Sequence, residues 1–209
     1  MRTRVKFCGM TREADIDRAV SLGVDAIGLI LVPGSKRELS LPRAIELSAR
    51  VPPLVTLVVL LADAPEAQVR AILAAMRVDL LQFHGNETDS QCKIYGRPFV
   101  KAVAMGDDDA AVQLSRWPSA AGLVLDGHRR GELGGQGRPF DWSALQPRTT
   151  QPLVLAGGLN PVNVAEAIGQ VRPFAVDVSS GIESAPGIKD PERMEAFINE
   201  VNRVDRQRQ

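Results

Sequence analysis

A chain of 209 residues suits one hydrophobic core, and so one domain over residues 1–209, since single cores commonly extend to about 250 residues. Its 25 Lys and Arg are matched by 25 Asp and Glu. No broad positive field is therefore expected to hold nucleic acid or an anionic membrane, and a bound anion needs a local site. The apolar runs are too short to span a bilayer, no signal peptide precedes the first strand, and Cys8 and Cys92 stand far apart. Together these point to a cytoplasmic protein with both thiols reduced.

In chain order, Val5 to Phe7 reads as a first strand that runs into Cys8-Gly9-Met10-Thr11. Gly9 allows a sharp turn, and Thr11 is placed to cap a helix over Arg12 to Leu22, with Glu13 and Asp15 near its positive end. The Cys8 thiol then sits at a strand-to-helix junction, where helical N–H groups lower a thiol pKa. An unpaired cysteine also serves as compact core filler, and position alone leaves both roles open.

A second strand over Ala26 to Leu31 leads into the basic loop Pro33-Gly34-Ser35-Lys36-Arg37 and a helix over Leu41 to Ser48. Further strands are expected at Leu54 to Leu61, Leu80 to Phe83, Phe99 to Ala104, Gly122 to Leu125, Leu153 to Ala156 and Ala175 to Val178. Helical patterns separate them at Pro65 to Ala75, Glu87 to Tyr95 (with Cys92 in the core), Asp107 to Leu114, Asp141 to Leu145 and Pro161 to Gly169. A last helix covers Asp190 to Val204, and Arg203 to Gln209 reads as a fraying, solvated end. Eight near-continuous apolar strands alternating with amphipathic helices fit an α/β (β/α)8 TIM barrel better than an open doubly wound sheet.

In such a barrel the chemistry lies on loops that follow the strands. Asp126 ends the sixth run, poised over the mouth or paired with a cation such as Arg129. The glycine-rich stretch after it, with Gly131, Gly134, Gly135 and Gly137, suits a lid or a plain connector. Gly157-Gly158 follows the seventh run and Ser179-Ser180-Gly181 the eighth, the two slots where barrels of this kind bind phosphate. Arg37 is placed to grip a carboxylate in bidentate fashion or to make a surface ion pair with Glu38. His84 is placed to orient a polar substrate or to satisfy a backbone carbonyl. Asp177 is placed to bond a ligand hydroxyl or amine, or to close an internal salt bridge. His84 and His128 are the only histidines, no metal-ligand spacing is present, and neither a Walker loop nor a GxGxxG follows the first strand, so no metal or nucleotide cofactor is expected.

Nearly end to end, the chain resembles the phosphoribosylanthranilate isomerase family. The resemblance is carried by Val5-Lys6-Phe7-Cys8-Gly9-Met10-Thr11, Ser35-Lys36-Arg37, Gln82-Phe83-His84-Gly85, Leu125-Asp126, Gly134-Gly135-Gln136-Gly137, Phe140-Asp141-Trp142, Ala156-Gly157-Gly158-Leu159-Asn160-Pro161 and the run from Arg172 to Glu183. It implies a cofactor-free Amadori rearrangement of a phosphoribosyl substrate in tryptophan biosynthesis, with Cys8 as general base and Asp126 as general acid. It also implies that Arg37 holds the anthranilate carboxylate and that the two late loops hold phosphate. On this reading burial should raise the Asp126 pKa while that of Cys8 falls. Leu60-Leu61-Ala62-Asp63 and Gln136 depart from the family's usual pattern in the third and sixth loops. The histidine-pathway isomerase of the same fold and a catalytically silent phosphosugar-binding barrel are the competing readings, and the oligomeric state, monomer or homodimer, is left open.

Overall fold

A computed structural model describes residues 2–105, 114–127 and 149–208. The strands are β1 (Arg4–Cys8), β2 (Ala26–Ile30), β3 (Thr56–Leu61), β4 (Leu80–Phe83), β5 (Phe99–Ala104), β6 (Gly122–Asp126), β7 (Leu153–Leu155) and β8 (Ala175–Val178). They run parallel in sequence order around a closed barrel, with β8 pairing back onto β1, so the expected eightfold architecture is the observed one. The described helices are α1 (Glu13–Ser21), α2 (Leu41–Ser48), α3 (Glu66–Ala75), α4 (Asp89–Lys93), α5 (Val164–Val171) and α6 (Pro191–Gln207). The helix expected over Asp107 to Leu114, all but its last residue, and the one over Asp141 to Leu145 lie outside the described residues, as do Arg129 and the glycine-rich stretch.

Period-two alternation divides each strand between two environments. Phe7, Ile27, Leu29, Leu57, Val59, Leu61, Leu81, Leu123 and Val176 join one continuous core between barrel and helices, and Phe7 meets Phe197 of α6 edge to face at 6.0 Å. Val58 and Leu60, and separately Val100, Ala102 and Val124, form two small apolar clusters that are distinct from it. The polar residues Lys6, Gln82 and Asp177 are buried as well.

Local chemistry explains most helix starts. Ser40 accepts from the Arg43 N–H and Asp190 from those of Glu192 and Arg193, each followed by a proline in the first turn. Thr88 and Gln91 form a reciprocal capping box ahead of α4. Thr11 does not cap α1 as expected: the cap residue is Arg12, with no side-chain bond, because the Thr11 hydroxyl donates to the Gly187 carbonyl instead.

Gly187 belongs to a small hairpin, β9 (Glu183–Ala185) and β10 (Ile188–Lys189), which the apolar patterning did not reveal. Leu54 was expected to open the third strand; it is fully exposed with φ 71°, and the strand begins at Thr56. Nor does the C-terminus fray at Arg203. Helix α6 continues to Gln207 because Asp205, itself buried, accepts from the Thr3 amide and from its hydroxyl at 2.8 Å, tying the end of the chain to its start.

Candidate active site

A cavity of about 530 Å³ opens at the C-terminal ends of the strands. That volume suits a small organic ligand. Its lining brings together nearly every residue singled out in the sequence: Cys8, Arg37, His84, Asp126, Gly157, Gly158, Asp177, Ser179 and Ser180. Gly181 is not on the wall. It is the middle residue of the short turn Ser180–Ile182, where a Cβ would stand 1.9 Å from the Leu159 carbonyl oxygen, so glycine there lets the two late loops pack together.

Gly157 and Gly158 both adopt left-handed backbone, φ 75° and 70°, which only glycine takes without strain. Asn160 and Asn163 brace this loop, their side-chain amides donating to the Gly158 carbonyl at 3.3 and 3.0 Å. Among the described residues the N–H groups of Gly157, Gly158 and Ser180 donate to no protein acceptor. Adjacent N–H groups without acceptors form the kind of nest that receives an oxyanion.

Cys8 is the last residue of β1 and Asp126 the last of β6, each 4–6% exposed. The Asp126 carboxylate lies 3.6 Å from His84 Nε2, so the fourth-strand histidine flanks the acidic group. Gly28 stands beside Cys8 in the β1–β2 register, and a Cβ there would come within 2.8 Å of the sulfur. Glycine on β2 thus makes the space in which the thiol sits.

The electrostatics of Cys8 differ from expectation. Its thiol is pushed up, not down: burial dominates and Asp177 adds to the rise, while the positive charges of Lys6 and Lys189 pull the other way. Helical N–H groups are not what meets the sulfur. The Gly9 and Met10 amides that follow it both donate to the Gly28 carbonyl, at 2.9 and 3.1 Å, and α1 starts only at Glu13.

Arg37 is also differently engaged. It makes neither a surface pair nor a contact with Glu38, whose carboxylate accepts from the Gly34 amide. Its Nε and Nη2 instead donate side-on to Glu183 at 2.7 and 2.6 Å, both side chains being buried. Nη1 makes no hydrogen bond among the described residues. Lys189, 1% exposed, donates to the same carboxylate at 2.8 Å and to the Ser179 carbonyl at 3.1 Å. Burial depresses its ammonium while Glu183 supports the charge. Ser179 in turn donates to the Cys8 carbonyl at 3.0 Å. The hairpin thereby ties the carboxylate-binding candidate, the eighth loop and the cysteine backbone into one network.

Asp177 takes the internal role left open for it. Its Oδ2 accepts from Lys6 Nζ at 2.7 Å across the β1–β8 register, where Lys6 stands opposite Asp177. Asp177 Oδ1 and Gln82 Oε1 are buried and have no hydrogen-bond partner among the described residues. Such orphaned acceptors in a cavity wall are positioned for a ligand's hydroxyl groups. Lys6, Gln82, Glu183 and Lys189 were not singled out from the sequence. For Lys6 the signal was present, since it stands two residues before Cys8 and hence on the same strand face.

Among the described residues no group of His, Cys, Asp and Glu could hold a metal ion, and no helix is long and apolar enough to cross a membrane. Fold and site together define a (β/α)8-barrel enzyme whose reacting groups stand at the C-terminal strand ends. A family model described as N-(5′-phosphoribosyl)anthranilate (PRA) isomerase matches residues 5–200. The N-(5′-phosphoribosyl)anthranilate isomerase of Chromohalobacter salexigens is 48% identical over 202 residues, covering 96% of this chain and 95% of that protein. The crystal structure of phosphoribosyl anthranilate isomerase from Thermotoga maritima superposes with a TM-score of 0.88 at 35% identity, over 96% of this chain and 98% of that one. A structure of the same enzyme type in complex with reduced 1-(o-carboxyphenylamino)-1-deoxyribulose 5-phosphate gives 0.85 at 33% identity, again over 96% and 98%. The chain belongs to the N-(5′-phosphoribosyl)anthranilate isomerase family and is an isomerase.

Proposed function

We propose that this chain converts N-(5′-phosphoribosyl)anthranilate into 1-(2-carboxyphenylamino)-1-deoxyribulose 5-phosphate in tryptophan biosynthesis, by general acid–base catalysis and without a cofactor. The carrying observation is that Cys8 and Asp126 line one cavity from β1 and β6 together with the two glycine-bearing loops. The Asp126 carboxyl protonates the furanose ring oxygen, the C1′–O bond breaks, and the nitrogen lone pair forms a cationic Schiff base. That cation acidifies C2′. Cys8 as thiolate removes the C2′ proton, and the released electron pair forms the enolamine, neutralising the nitrogen. Tautomerisation moves a proton to C1′ and leaves the ketone at C2′, so the step is an isomerisation with no net exchange.

Binding follows the polarity of the wall. The N–H groups of Gly157, Gly158 and Ser180 receive the phosphate, and the Arg37 guanidinium, oriented by Glu183, receives the anthranilate carboxylate through Nη1. His84 and the free oxygens of Asp177 and Gln82 face the ribose hydroxyls. The test is loss of anthranilate-type fluorescence when purified protein meets freshly made phosphoribosylanthranilate. Turnover well above the uncatalysed rate is expected; binding of phosphosugar without turnover would identify a silent barrel and refute the assignment.

A further inference from the structure

A buried thiol is a poor base unless something nearby favours its anion, and the groups around Cys8 single out one source. Strand β1 directs Lys6 and Cys8 to the same face, two residues apart. A Cβ built on Gly28, the β2 neighbour, would lie 2.8 Å from the Cys8 sulfur and 3.1 Å from Lys6 Cε, so the sulfur and the lysine stem flank one point. Lys6 Nζ is anchored from the other side by Asp177 of β8 at 2.7 Å. The remaining cations near the sulfur are committed elsewhere: Lys189 on β10 and Arg37 in the second loop share Glu183. Asp126 of β6 is the further acidic group of this face, beside His84.

We propose that Lys6 is the positioning residue that readies the Cys8 sulfur as a base, and that Asp177 sets how strongly it does so by competing for the same ammonium. The proposal rests on Cys8 acting as the base. Lys6, a residue 7% exposed whose ammonium is held by Asp177, favours the thiolate by its charge, which is little screened in the buried wall. Its own proton is held tightly: burial opposes the charge, but Asp177 and Cys8 together outweigh it. Asp177 has the opposite influence on the sulfur, since its negative charge disfavours a second anion nearby. The thiol therefore stays above its ordinary value, but lower than burial and Asp177 alone would push it, and its anion is a base strong enough to take a carbon-bound proton.

The experiment is the pH dependence of Cys8 alkylation by iodoacetamide in the full chain, with Cys8→Ser giving the background from Cys92. Lys6→Met alone strands a buried carboxylate, so the main variant is the Lys6→Met/Asp177→Asn pair, which removes both charges at similar volume. The Cys8 titration should move up in the pair, and alkylation at pH 7 should slow by about tenfold for every pH unit the titration midpoint rises. It should move down in Asp177→Asn and stay near wild type in Lys6→Arg. The acid limb of kcat/KM, where rate rises as the thiol ionises, should move with it. A double variant that titrates with the wild type, or an upward move in Asp177→Asn, overturns the proposal. Alkylation needs no isomerase substrate, so absent turnover with intact coupling refutes the function alone, and turnover without coupling refutes only this inference.

Discussion

Replacing Glu183 by Gln tests the hairpin's role most directly, because one carboxylate holds two buried cations. Glu183 accepts from Arg37 Nε and Nη2 and from Lys189 Nζ, with side-chain exposures of 5, 8 and 0% respectively for the three residues. Removing one partner of a buried ion pair costs roughly 3–5 kcal/mol, since the other charge stays desolvated. Glutamine keeps one acceptor oxygen, which places the loss near the lower end, about 3 kcal/mol. With a urea m-value of about 2–3 kcal/mol/M for a chain this size, the unfolding midpoint should fall by roughly 1 M. Burial works against the Glu183 charge, but the Arg37 and Lys189 contacts prevail and hold its carboxyl below the usual 4.5. The stabilisation is therefore fully present above that ordinary value and is lost as pH falls through the lowered folded value. The gap between wild type and variant should accordingly close as urea titrations, followed by far-ultraviolet circular dichroism, are repeated from pH 7 to below about 4. A midpoint unchanged at pH 7, or a gap that persists undiminished into acid, would refute the reasoning.

Cys8→Ser and Asp126→Asn should each lower kcat by about a hundredfold or more while the circular dichroism spectrum is retained, and wild-type rates in either would remove that residue from the chemistry. Arg37→Ala should chiefly raise KM, and an unchanged KM would show that the carboxylate is held elsewhere. Asp205→Ala leaves the buried Thr3 amide without its acceptor and should cost about 2 kcal/mol in urea unfolding, whereas solvated-end behaviour would leave the midpoint in place. Cys92, buried on α4 with its thiol pushed up to about 12 chiefly by desolvation, should stay unmodified by a thiol reagent at pH 8 until the protein unfolds.

Strand order, closure and the location of the site were readable because they depend on short-range regularities. Apolar runs mark the strands, and a polar residue ending a run marks the mouth; Cys8, Asp126 and the Gly157-Gly158 pair all follow that rule. What escaped the sequence depends on pairing between distant segments. Nothing local distinguishes Glu183 as the partner of Arg37, 146 positions earlier, from a solvated surface carboxylate. Asp205 looked like part of a polar tail because its partner, Thr3, lies at the other end of the chain. The hairpin over Glu183–Ala185 and Ile188–Lys189 is too short for periodicity to show, and it owes its place to buried ion pairs rather than to an apolar face.

The misjudged sign at Cys8 has the same origin and says more about the site. A glycine after a strand-ending cysteine suggests helical N–H groups as the activating field, because the next helix is the nearest polar element along the chain. In the fold those amides turn to the Gly28 carbonyl of β2. The positive charge that favours the thiolate most comes from within β1 itself: Lys6 stands on the same strand face and is anchored by a strand that closes the barrel. Barrel closure, more than the local turn, therefore sets the charge environment of the thiol. A substitution on β8 at Asp177 should consequently alter the reactivity of a residue 169 positions away in sequence more than any change in α1, whose first turn begins five residues beyond Cys8.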